Sequence, residues 1–158
     1  MPANNAISLW ILFASSTVLF CASITDLKEF KIRNEIVLLL AGLFFGYALA
    51  SGRPALLPTN LAFASLMLLV LLYAYAREQL GGGDLKLLAV AFLWAGPWLT
   101  VPFLIFLLAF TGLAYSAAIR GWIPSQVSDA GLRMPLAPSI AAALIGTFAV
   151  HLIAPSLA

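Results

Sequence analysis

Charges in this chain are scarce, and they stand in knots between long apolar runs. Eight Lys and Arg and six Asp and Glu are all that 158 residues hold, against 63% hydrophobic residues. So small a charged set cannot clothe a surface in water, and the apolar surface must therefore face lipid. The reading is an all-α integral membrane protein forming a single domain. Residues 7–25 come close to the roughly 20 that cross a hydrocarbon core. Residues 1–5 carry no Lys or Arg, and no soluble domain follows, so this run reads as a membrane span rather than a signal peptide.

Five further runs follow, at about 36–50, 61–76, 85–95, 99–119 and 138–153, giving a bundle of about six helices. The second opens at Asn34-Glu35, a cap followed by a first-turn acid. It ends at Ser51-Gly52-Arg53-Pro54, a turn signal. Thr59-Asn60 offers a cap for the third. Residues 85–119 are interrupted at Gly96-Pro97. As one straight helix they would run to about 52 Å, well beyond a core of about 30 Å, so two helices are favoured. Pro102 sits near the start of the second of these, where proline is tolerated. Residues 120–137 form a polar, Gly- and Pro-bearing loop.

Basic residues orient the bundle. With six spans, Lys28, Lys31, Arg33, Arg77, Lys86, Arg120 and Arg133 share one side, and Arg53 stands alone on the other. By the positive-inside rule the crowded side is cytoplasmic and both termini lie outside. Asp26 and Asp84 are separated by two spans and so face the same side whatever follows Asp84.

Those two acids carry the chemistry. Asp26 closes the first span, beside a stretch dense in charge. Asp84 follows Gly81-Gly82-Gly83 and opens the fourth, in a backbone that other groups can approach closely. Two nearby carboxylates do not ionise together easily, so one tends to hold a proton while the other acts as a base. Such a pair can take a proton from water, direct the hydroxide at an amide carbonyl and protonate the departing nitrogen. Other constellations are poorly supplied. Cys21 is alone, which excludes an internal disulfide and a cysteine-cluster metal site, and it reads as packing. His151 reads as an interfacial histidine, Asp129 as a loop turn, and Glu29, Glu35 and Glu78 as surface acids.

Asp26 with Ile32-Arg33-Asn34, and Gly81-x-Gly83-Asp84-x-Lys86 continuing as Leu87-Leu88-Ala89, resemble the type IV prepilin peptidase family, membrane aspartic proteases of the GxGD kind. Arg33 stands where the family pattern has proline. Met134-Pro135-Leu136-Ala137-Pro138-Ser139 is similar to the family's proline-bearing start of the last helix. The resemblance runs from about residue 21 to 153. It implies an aspartic endopeptidase that removes the basic leader from prepilin-like proteins at the cytoplasmic face of a bacterial inner membrane. Asp26 and Asp84 would be the catalytic pair, supported by Gly81, Gly83, Lys86 and Asn34. Long members carry a Cys-x-x-Cys region and methylate the new amino terminus. These residues hold no such region and look like the short form found with Tad/Flp pili and related secretion systems, which puts methyl transfer in doubt. The expected partners are a prepilin-like substrate and the bilayer, with neither metal, cofactor nor nucleic acid.

Two other readings stand beside this one. A small ion-coupled transporter would use the aspartates as ion sites, although both lie at span ends and no span is charged in its middle. A non-catalytic assembly factor of a pilus or secretion system would retain the fold alone. Lys86 either orients the pair or contacts lipid phosphates.

Overall fold

The structure is a computed structural model that describes residues 3–53, 55–122, 126–128, 131–133 and 135–153. Five helices follow one another: α1 (Ala3–Glu29), α2 (Asn34–Ala50), α3 (Leu56–Ala76), α4 (Gly82–Ile119) and α5 (Ala137–Ile153). Between α4 and α5 the loop forms a small antiparallel ribbon, β1 (Gln126–Ser128) and β2 (Gly131–Arg133), with Val127 opposite Leu132. Three stretches, Ala6–Glu29, Leu56–Ala76 and Gly82–Ile119, are long and apolar enough to cross a membrane. At 17 residues each, α2 and α5 are at the short end of what a span needs.

The long element α4 is two limbs. Gly96 inside it has φ 58° and ψ −171°, outside the helical region and costly for any residue with a Cβ. The rings of Phe92 and Phe103 meet at 5.4 Å. On one straight helix, residues so far apart in sequence would be about 16 Å apart along the axis, so the chain must bend sharply between them. Residues 82–95 and 97–119 are thus two helices joined at a kink, and the bundle has six apolar helical segments. Pro97 begins the second limb, where a missing N–H leaves nothing unsatisfied.

Asn60 secures this turn. Its side-chain amide donates to the carbonyl of Leu93 at 3.0 Å, one of the carbonyls left free where the first limb ends. The same amide lies where a Cβ on Gly96 would have to go. Asn60 is therefore no helix cap, and α3 begins earlier, at Leu56. Asn34 differs from its expected role too. The N-cap of α2 is Arg33, in extended backbone and without a side-chain capping bond. Asn34 is the first helical residue, with its side chain free for another partner.

The first limb of α4 runs through the middle of the bundle. Leu87, Leu88, Val90, Ala91 and Phe92 are all buried, so the limb is apolar on every side. The second limb, α3, α5 and α2 pack around it. The indole N–H of Trp94 donates to the carbonyl of Leu40 at 3.0 Å and ties the limb to α2. Large apolar side chains such as Trp10, Phe13, Leu69 and Leu108 point outward, as expected of a surface in lipid. Cys21 is exposed on that outer surface rather than packed inside.

Candidate active site

Successive segments run up and down, which brings the end of α1 and the starts of α2, α4 and α5 to one end of the bundle. Asp26, in the last turn of α1, is 5% exposed. Its Oδ2 accepts the backbone N–H of Ala137 at 3.0 Å. That amide belongs to the first residue of α5, where backbone donors lack partners within the helix. The aspartate thus fills the role of a cap, delivered from a different helix. After α1 the chain turns sharply through Phe30, whose φ is 52°. The next stretch carries Ile32 across to Gly83.

Asp84 lies in the first turn of α4, near the positive end of the helix dipole. Gly81, the N-cap, is extended (φ −70°, ψ 145°), and its carbonyl accepts the N–H of Leu85 at 2.9 Å. The Asp84 side chain folds back over Gly81. A Cβ at Gly81 would come within 2.9 Å of Asp84 Oδ2, closer than atoms can pack without a shift. A Cβ at Gly83 would meet Ile32 at 3.4 Å, and one at Gly82 would meet Tyr75 at 3.5 Å. The glycines are therefore not equivalent. Gly81 makes room for the carboxylate, and Gly83 lets the segment after α1 lie against α4.

Asp26 and Asp84 lie within electrostatic reach of each other. Beside Asp26 is the amide of Ala137, itself a buried residue. On the exposed rim, Lys86 Nζ donates to Asn34 Oδ1 at 2.9 Å and links the starts of α2 and α4. All six residues singled out in the sequence, Asp26, Asn34, Gly81, Gly83, Asp84 and Lys86, therefore gather at this end. Two participants were not singled out. Ile32 acts by packing, and Ala137 acts through its backbone, which no side-chain pattern reveals. Pro138, just inside α5, was the available hint.

Other acids stand apart. Glu35 pairs with Arg33 at 3.3 Å on the surface. Asp129 and Met134 lie outside the described residues. His151 is at the opposite end, half-buried, with its Nε2 2.8 Å from the hydroxyl of Tyr47. Chemically, the gathered site offers two carboxylates held at helix ends in largely apolar surroundings, with open backbone on one side.

Residues 12–117 match the model of the type IV leader peptidase family. A prepilin leader peptidase/N-methyltransferase of Pectobacterium carotovorum subsp. carotovorum is 32% identical over 120 residues, which are 72% of this chain and 43% of that protein. The chain thus spans less than half the length of this relative. No solved structure matches. Asp26 and Asp84 both fall inside the family match; α5 lies beyond it.

Proposed function

The chain belongs to the type IV leader peptidase family, and from that membership we propose that it is an aspartic endopeptidase acting on prepilin-like proteins. The observation that carries the reading is the meeting of Asp26 and Asp84 at one end of the bundle. Between them the two carboxylates hold one proton, because two negative charges at such range repel. A water between them gives its proton to the ionised carboxylate as its oxygen attacks the scissile carbonyl carbon. The protonated carboxyl donates to the carbonyl oxygen as negative charge develops there. Collapse of the tetrahedral intermediate breaks the C–N bond, and the proton taken from water passes to the leaving nitrogen.

The substrate follows from the same physics. A short basic leader ahead of an apolar helix enters a bilayer with its basic end inside, so its cleavage point lies at the membrane surface. Seven of eight basic residues on the aspartate side of the bundle support a cytoplasmic active site in the inner membrane. Gly81 leaves room for the Asp84 carboxylate itself, which a side chain at that position would displace. The proposal is confined to leader removal.

The test is co-expression with a prepilin-like protein and measurement of the product by mass. The expected result is a product shorter by the leader, present with the native chain and absent with Asp84→Asn. Unprocessed substrate with a correctly inserted native chain, across several prepilin-like proteins, would overturn the reading.

A further inference from the structure

The end of the bundle away from the aspartates holds a cleft that leader removal does not use. Leu12, Leu56, Trp98 and Phe148 line its apolar part. Its polar part is built from Tyr47, Arg53 and His151, contributed by α2, the turn after it and α5. Tyr47 and His151 Nε2 are hydrogen-bonded at 2.8 Å. The other ring nitrogen, Nδ1, is buried and without a partner among the described residues. Such an atom is uncommon in a folded protein and calls for a partner. When the tyrosine hydroxyl donates to Nε2, Nδ1 carries the hydrogen and is a donor in need of an acceptor.

Arg53 supplies the charge. It is exposed, within electrostatic reach of both Tyr47 and His151, and forms no ion pair among the described residues. An exposed cationic fork beside an apolar slot suits a ligand with an anionic, oxygen-rich head and a hydrocarbon tail. Trp98, 68% exposed, has the character of a side chain at headgroup level.

We propose that this cleft binds a membrane phospholipid, its phosphate on Arg53 and one acyl chain between Leu56 and Trp98. The site adjoins the Gly96 turn, because Asn60 and Ala95 also line it. A bound lipid therefore braces the turn of α4 from the leaflet opposite the aspartates. A lipid rather than a free anion is the occupant because the cleft is mainly apolar and opens beside lipid-facing residues.

The test uses the full chain purified in mild detergent, stripped of lipid and examined by native mass spectrometry and thermal unfolding. The probes are dioleoyl phosphatidylglycerol, the diacylglycerol with the same chains, and inorganic phosphate. One phosphatidylglycerol should be retained and raise the unfolding temperature, while the other two do neither. Arg53→Gln should weaken retention about tenfold or more, the order expected for losing a charge-assisted hydrogen bond. Arg53→Lys should restore part of it, and Lys31→Gln at the opposite end should have no effect. Retention by Arg53→Gln equal to the native chain would overturn the proposal. Equal retention of diacylglycerol would also overturn it, since the slot would then need no phosphate. Saturation by phosphate alone would reassign the site to a free anion and overturn the lipid. These outcomes do not depend on leader removal, and a cooperative unfolding transition of the lipid-free variant is the check that Arg53→Gln folds.

Discussion

At the scale of single residues, Asp26 has two duties that substitution can separate. It accepts the Ala137 amide, which any oxygen of the right shape can do, and in the proposed reaction it cycles a proton, which only a carboxyl can. Asp26→Asn keeps the acceptor and loses the proton chemistry. It should insert and unfold like the native chain while leader removal, followed by mass, falls to background. Asp84→Asn should do the same, and the double variant should be little worse than either, because groups acting as one unit are not additive. Full activity in either single variant, once its insertion is verified, would remove the aspartic mechanism. The glycines allow a graded comparison. Gly81→Ala puts a methyl within 2.9 Å of Asp84 Oδ2 and should severely slow cleavage by displacing the carboxylate. Gly83→Ala comes no nearer than 3.4 Å, to the Cβ of Ile32, an ordinary packing distance, and should be milder. Equal losses would mean that both glycines serve the substrate rather than the carboxylate.

The elements were legible where apolar length set them and illegible where a side chain works across the bundle. Six apolar runs and the break at Gly96-Pro97 stand in the sequence, since a bilayer limits how long a helix can remain straight. The helix starts do not. Asn34 and Asn60 both look like caps because Asn is a good local acceptor. In the folded chain each bonds to a different helix instead, Asn34 to Lys86 and Asn60 to Leu93. Nothing local distinguishes these uses, for the partners are far along the chain. The gathering of Asp26 and Asp84 was legible from span parity, whereas the Ala137 amide was hidden because backbone donors leave no mark in a residue pattern. The kink at Gly96 carries its own prediction. Gly96→Ala must place a Cβ at φ 58° and push aside the Asn60 amide. That backbone region, essentially confined to glycine, costs another residue about 1–3 kcal/mol, and a clear fall in the unfolding temperature in detergent should follow. Asn60→Ala leaves the Leu93 carbonyl unpaired and should cost a similar amount. In the double variant the Asn60 clash is gone, so its loss should be smaller than the sum of the two. Strict additivity would mean that the two residues do not share the turn.

For the whole molecule, the question is which end faces the cytoplasm, and the fold narrows the answer to two orientations. Asp26 meets the start of α5, Lys86 meets the start of α2, and Tyr47 meets His151 near the ends of α2 and α5. These contacts make the up-and-down order of segments internally consistent, so a single choice of side settles every loop. The loops with Lys28, Lys31, Arg33, Arg77, Lys86 and Arg120 share one end, and Arg53 is at the other. Basic residues in short loops resist translocation, and an imbalance this large favours the orientation with the aspartates inside. Reporter domains fused after Arg33, Glu78 and Gln126 should therefore be active only in the cytoplasm, and one fused at Ser51 only outside. A fusion following α5 should also report outside, because six segments return the chain to its starting side. A cytoplasmic signal after α5, with the other four as expected, would mean that α5 does not cross the bilayer, whereas an outside signal at Gln126 would mean that residues 82–119 cross only once. Reversal of all five would preserve the bundle and the meeting of the aspartates. It would, however, put the site on the face away from a basic leader, and the prepilin substrate would then have to be abandoned.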